Sequence, residues 1–408
     1  MVALGELIAP DLNAIPVLEA SDPRLLERAG KQGRVRDAVL VGLRAVRANP
    51  HRAGAVLQDH FRAATWLHSA ERRFASDAVR DILRWESLLD ALVEDPGADE
   101  ARFRRWLVAK GAEAIETDRP VAAALPDFET SAARFANLPP SMVAAVGRVY
   151  GHETAAVLLG LQGRAPVCLR VNARLAQRNE AAQRLASEGV DTVEGAWSPM
   201  SLIVVGRSAI EQTQTWKSGW IEVQDAASQC VVDATPRGTV LDLCAGGGGK
   251  SLALAARGDR VIASDSRPMA LRELQRRAQR AGLAIEVVAL DGLPRHVDVL
   301  LIDAPCTGMG TLRRHPELRL SWDDQTIPRH ASQQRRLLRD ALKRVSADVV
   351  VWATCSLLVE ENEAVWTEEA PTWTGNWTRM DPAHHSTDGF CWGVFSRLDD
   401  AGVAAPAP

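Results

Sequence analysis

Cysteine is scarce in this chain: six occur in 408 residues (Cys168, Cys230, Cys244, Cys306, Cys355, Cys391), and no two are close enough to form a metal-binding Cys-x-x-Cys pair. No metal is called for, and any role for the thiols must be packing or nucleophilic chemistry. A long hydrophobic run is also missing. The longest, Val349 to Val359, is interrupted by Thr354, Cys355 and Ser356 and falls short of the ~20 apolar residues of a membrane span. Met1 to Asp11 lacks the basic start and small-residue cleavage site of a secretory signal and contains Glu6, so a cytoplasmic protein with no membrane partner is expected. Nothing indicates an obligate protein partner. The net charge of −4 carries no whole-chain signature of polyanion binding. What remains is a globular composition, 46% apolar and 25% charged, long enough for about two or three domains.

Local charge is less even than the total. Between Arg313 and Arg344 nine Lys or Arg face four acids, a solvated helix face or a surface for a polyanion.

The organisation changes along the chain. Residues 24 to 135 are rich in Ala, Arg and Leu at helical spacing (Leu40, Leu43, Val46; Val79, Ile82, Leu83), with breaks at Asn49-Pro50 and Arg119-Pro120. An all-helical domain over 1–140 is expected. From 141 to 223 a helical segment, the run Val167 to Val171, a helix near Asn179 to Glu188 and the run Leu202 to Val205 suggest a small α/β module. Over 224–408, β-rich runs (Thr239–Leu243, Arg260–Ser264, Ile285–Ala289, Val297–Ile302, Val349–Ala353) alternate with helical stretches. That predicts an open parallel Rossmann-like sheet with its ligand at the carboxyl ends of the strands.

Those strand ends carry the chemistry. The first runs into Cys244-Ala245-Gly246-Gly247-Gly248-Gly249-Lys250-Ser251, a loop whose backbone approaches a ligand closely at the start of a helix. Gly249-Lys250-Ser251 also ends a phosphate-binding P-loop, with Val297 to Asp303 as its magnesium-holding strand. Position 244 is Cys rather than Gly, however, and Asp265 closes the second strand 23 residues after Asp242. A carboxylate there suits ribose hydroxyls and repels a triphosphate, favouring an adenosine-bearing cofactor without a phosphate chain. The pattern Gly-x-Gly-x-x-Gly of nicotinamide binders is missing. Asp291, after the third run, either meets an adenine amino group or caps the next helix.

The fourth and fifth runs end in Asp303-Ala304-Pro305-Cys306 and Thr354-Cys355-Ser356. If those strands are neighbours, two thiols enter one crevice. Carbon 5 of cytosine is a poor nucleophile; a thiolate adding to carbon 6 makes it enamine-like, and a second group then helps expel the enzyme. Asp303 is placed to bond the ring nitrogen and exocyclic amine, with Lys250 assisting. Methylation of an exocyclic amine uses an Asn/Asp-Pro-Pro-aromatic loop instead. A buried packing role is expected for Cys168, Cys230 and Cys391.

The two thiol motifs, the 244–250 loop and Arg313-Arg314-His315-Pro316-Glu317 together resemble the Sun/Fmu family of S-adenosylmethionine-dependent RNA 5-methylcytosine methyltransferases, in particular its bacterial members acting on small-subunit ribosomal RNA. The likeness runs from about Pro166 to Phe395 and includes Leu169-Arg170-Val171-Asn172, Val223 to Gln229, Gln334, Glu361-Asn362 and Asp388-Gly389-Phe390. It implies Cys355 as nucleophile, Cys306 in product release, and Asp303 and Lys250 on the cytosine. S-adenosylmethionine would be held by Cys244, Ala245, Gly246, Gly247, Gly248, Gly249, Lys250, Asp265, Asp291 and Asp303. RNA is the implied partner, ribosomal RNA ahead of transfer RNA, and the helical domain is expected to resemble the antitermination factor NusB. Two departures stand out: Gly247 replaces the proline of the usual Ala-Pro-Gly-Gly-Lys loop, and Ala270 an arginine common five residues after the ribose-binding Asp. A P-loop nucleotide hydrolase and a non-catalytic RNA-binding assembly factor are the competing readings.

Overall fold

A computed structural model describes residues 23–30, 33–91, 93, 95, 97–110, 136–206 and 208–397. The ends of the expected helical domain, 1–22 and 111–135 with the break at Arg119-Pro120, lie outside them.

The chain forms two compact units. In the first, helices Arg34–Ala48, Ala53–Ala63, Ser69–Arg84 and Asp99–Ala109 turn one apolar stripe each inward. Val39, Leu43, Leu57, Ile82, Phe103 and Trp106 meet in one core. The boundary expected at 140 shifts: helices Pro140–Tyr150 and Thr154–Gly160 belong to this unit, and so do residues 311–325. Buried polar groups explain the shift. Asp81, 1% exposed, takes Arg84 at 2.6 Å and Arg164 at 2.7 Å, Arg84 donates to the Arg313 carbonyl at 2.9 Å, and Arg319 donates to Gln162 at 2.8 Å. The Asp81–Arg84 pair is local, but the bond from Arg84 to the Arg313 carbonyl and that from Arg319 to Gln162 form only when 311–325 returns to this unit.

The second unit holds both sheets. The smaller sheet has β1 (Cys168–Val171), β2 (Thr192–Glu194), β3 (Ser201–Val204) and β4 (Ile221–Val223), antiparallel in the order β2-β3-β1-β4. The larger has β5 (Thr239–Asp242), β6 (Arg260–Ala263), β7 (Glu286–Val287), β8 (His296–Asp303), β9 (Ser346–Thr354), β10 (Trp373–Met380) and β11 (Phe390–Arg397), in the order β10-β11-β9-β8-β5-β6-β7. Strands β5 to β9 are parallel, and β8 and β9 are apolar on both faces because helices cover both. The expected all-parallel sheet gains an antiparallel edge, β11 on β9 and β10 on β11. The connection from β10 to β11 is too short for a parallel crossover. Among the described residues no helix is long and apolar enough to cross a membrane.

Candidate active site at the strand ends

The order of the sheet puts the ends of β8 and β9 side by side, and with them the two thiols: Cys306 Sγ lies 3.3 Å from Cys355 Sγ. The hydrogen bond to Cys355 and burial push the Cys306 thiol well above its usual range. The two sulfurs are within hydrogen-bonding reach of each other, and either thiol can be the donor. Both thiols are half-buried rather than sealed.

The loops carrying the thiols are fixed from beneath by side chains without solvent exposure. Glu361 accepts from the Thr307 amide at 2.8 Å and its hydroxyl at 2.7 Å, and Gln334 donates to the Pro305 carbonyl at 2.9 Å. Asn362 accepts from the Thr354 hydroxyl at 2.8 Å and donates to the Leu358 carbonyl at 2.8 Å. The Gly310 amide donates to the Cys355 carbonyl at 2.9 Å, and a Cβ on Gly310 would lie 2.0 Å from the Gly389 oxygen. Sequence reasoning assigned these residues no task. Gln334 did leave a signal, a polar residue on the buried stripe Ile327, Ala331, Leu338, Ala341 of helix Thr326–Arg344.

Lys250 donates to Asp303 at 2.5 Å and lies 4.9 Å from the centre of the Phe390 ring, so its charge is held at the end of β8 next to the thiol loop. Ser251, fully buried, donates to Asp242 at 2.6 Å. A P-loop needs that hydroxyl for magnesium and that lysine for phosphate, and here each has another partner. Burial pushes the Asp242 carboxyl up to about 7, with the nearby Asp303 and Asp265 adding to it. Burial, with Asp242, Asp303 and Asp265 adding to it, pushes the Cys244 thiol far up, which suits a packing role. Cys230 and Cys391 are likewise pushed up to about 12, chiefly by burial.

The loop between β5 and helix Gly249–Ala256 turns on Gly246 and Gly248, with φ of 55° and 84°. A side chain on Gly248 would press to 2.6 Å from Leu274 Cγ, so this position has no room for one. Asp265 at the end of β6 accepts from the Gly246 amide at 2.8 Å and the Arg267 amide at 2.8 Å. Burial would raise its carboxyl, but these amides and the Arg267 guanidinium outweigh burial and hold it below the usual range. Its acceptors suit vicinal hydroxyls, and the surrounding Asp242, Asp265 and Asp303 suit a cation. A sulfonium-bearing nucleoside fits both demands, whereas a nucleoside triphosphate has the hydroxyls but brings negative charge to the acids. Asp291 sits in an exposed turn after β7, the edge strand three places from β8.

The remaining motifs lie elsewhere. Arg313 and Glu317 are buried in the helical unit, with His315 3.3 Å from Glu317. In the rest of the basic stretch, Arg335 pairs with Glu368 at 2.5 Å and Arg339 with Glu369 at 2.5 Å. Much of the local positive excess is thus spent internally.

Residues 229–372 match the family model described as 16S rRNA methyltransferase RsmB/F, and residues 138–211 the one for the ferredoxin-like domain of RsmF/B-like methyltransferases. The chain is 33% identical over 258 residues to a Synechocystis protein named probable ribosomal RNA small subunit methyltransferase B, covering 54% of this chain and 58% of that one. It is 30% identical over 286 residues to ribosomal RNA small subunit methyltransferase B of Citrobacter koseri, covering 65% and 66%. The matches thus span 58% to 66% of these curated relatives' length. Two solved structures share the fold: PH0851, with a TM-score of 0.69 at 21% identity over 90% of this chain and all of that one, and NSun6 from Pyrococcus horikoshii with SFG, with a TM-score of 0.57 at 18% identity over 65% and 99%. With two of its family models together spanning more than half of its residues, the chain belongs to the RsmB/F methyltransferase family.

Proposed function

We propose that the protein transfers a methyl group from S-adenosylmethionine to carbon 5 of a cytosine in RNA, with small-subunit ribosomal RNA as substrate, through a covalent bond to Cys355. The observation that carries this reading is the pair of sulfurs 3.3 Å apart at adjacent strand ends, beside the Lys250–Asp303 pair. Names of the curated relatives support the RNA class, and the NSun6 structure, solved with SFG, supports the cofactor class.

S-adenosylmethionine supplies an electrophilic methyl on a cationic sulfur. Cys244 to Lys250, Asp265, Asp291 and Asp303 would hold it. Cys355 forms a bond to carbon 6, and the displaced π pair makes carbon 5 the nucleophile that takes the methyl as its bond to sulfur breaks, with S-adenosylhomocysteine as the leaving group. Asp303, oriented by Lys250, bonds the ring nitrogen and exocyclic amine as charge develops there. Loss of the carbon 5 proton to solvent restores the ring double bond and expels Cys355. Its sulfur regains negative charge under the hydrogen bond from Cys306, which is how Cys306 assists release.

RNA incubated with labelled cofactor tests the assignment. Cys355→Ala is expected to reduce methyl transfer to background, and full activity in that variant would refute the nucleophile. Cys306→Ala is expected to accumulate an RNA adduct stable in denaturing gels, provided that Cys355 is intact; normal turnover without adduct would remove the release role. Bisulfite mapping of cellular RNA with and without the protein separates ribosomal from transfer RNA.

A further inference from the structure

The glycine loop is gripped from the side by a charged cluster whose members come from the smaller sheet and from helix Pro268–Ala281. Arg277, on that helix, donates through Nη1 to the Gly247 carbonyl at 2.7 Å, and through Nη2 and Nε to Glu222 at 2.9 and 3.3 Å. Glu222, 4% exposed on β4, also receives Arg280, which stacks on Trp216 with its guanidinium carbon 3.5 Å from the ring centre. Directly across the β1–β4 pairing stands Arg170, buried, its guanidinium pulled down to about 10 by desolvation despite Glu222. Three guanidinium groups therefore surround one carboxylate. A carboxylate has too few lone pairs for all their N–H groups, so Arg277 has a donor left for the loop.

The position it holds is one where the backbone is least constrained. Gly247 lies between two glycines in left-handed conformations, and among the described residues its own amide donates no hydrogen bond. A flexible residue there leaves the loop many conformations when it is empty. The Leu169-Arg170-Val171-Asn172 motif belongs to the same joint, since Asn172 donates to the Ala281 carbonyl at 3.0 Å and fastens the end of the Arg277 helix to the smaller sheet.

We infer that Arg277, backed by Glu222, is a positioning residue that holds the Gly247 carbonyl and so presets the cofactor loop, making the smaller sheet part of the cofactor site. The inference rests on the reading of this loop as the S-adenosylmethionine site. Amide hydrogen exchange of residues 245–250 in the cofactor-free protein reads the loop directly, and calorimetric titration with S-adenosylmethionine reads its consequence. Arg277→Ala is expected to speed exchange there about tenfold and weaken cofactor binding about tenfold, with kcat at saturating cofactor within about twofold. Adding Gly247→Pro should restore slow exchange and affinity, because proline fixes φ at a position whose amide is not needed and the Arg277 end it would crowd is gone. Arg277→Lys, which keeps one charge but not the fork, should fall between and carries the test if the alanine variant does not fold. Unchanged exchange and affinity in a folded Arg277 variant, or changes that Gly247→Pro leaves uncorrected, would overturn the clamp. A wild-type protein that fails to bind S-adenosylmethionine while the variants still alter exchange would overturn the functional reading and leave the clamp standing.

Discussion

The ends of β8 and β9 and the ends of β5 and β6 lie on one rim but are built differently. At the thiol end, Gln334, Thr354, Glu361 and Asn362 have no exposure and hydrogen-bond the two cysteine-bearing loops from within the core. At the proposed cofactor end the chain turns on glycines, and Asp265 is paired with an Arg267 side chain that is 71% exposed. The proposed covalent step tolerates little error in sulfur position, and the loops that carry the sulfurs are tied to the core. A cofactor that enters and leaves needs groups that can exchange partners, and exposed side chains do so at low cost. The difference therefore separates stability from affinity, and variants can test that separation.

The largest effect is expected at the thiol end. Glu361→Ala leaves the Thr307 amide and hydroxyl unpaired in the core and should cost about 3 kcal/mol in chemical denaturation, with activity falling in parallel. A stable but inactive variant would break the comparison. Next comes Asp242, whose burial raises its folded pKa to about 7. The folded protein then holds this proton more tightly than the unfolded chain, so the group's contribution to stability is complete below about pH 4 and is lost as pH rises to about 7. Asp242→Asn removes that loss, and its melting temperature relative to wild type should climb across the same window. A parallel pair of pH profiles would show that Asp242 does not titrate there.

At the cofactor end, Asp265→Asn should weaken S-adenosylmethionine binding about tenfold in calorimetry while the empty protein melts within about 2 °C of wild type. Equal losses of affinity and stability would erase the distinction between the two ends. Outside both, the exposed pair Arg335–Glu368 should count for little: Arg335→Ala is expected to change stability by less than about 0.5 kcal/mol by denaturant titration. A larger loss would mean that helix Thr326–Arg344 is secured by charge rather than by its buried stripe.

Much of this was legible in advance because it is local. Apolar runs such as Val297–Ile302 mark strands buried on both faces, and the residues after them fall at the strand ends whatever the order of the sheet. The two-residue β7 and the antiparallel β10–β11 hairpin were less legible, since pairing with a neighbour, not local pattern, decides them. Arg313 and Arg319 read as surface charge and are buried, because their partners at Arg164 and Gln162 lie about 150 residues away. Glu361, Asn362 and Arg277 gave no sign of their tasks for the same reason.

By itself the sequence determined which residues are chemically able to act: two thiols after β-rich runs, a glycine loop ending in lysine, and acids at successive strand ends. These follow from residue type and short-range periodicity, which a single chain displays directly. Only the tertiary structure decided that β8 and β9 are neighbours, that the two sulfurs face each other, and that the glycine loop is bonded by an arginine whose carboxylate partner stands in a different sheet. Strand order, burial and shared carboxylates are set by contacts between distant segments, and such contacts exist only once the chain has folded.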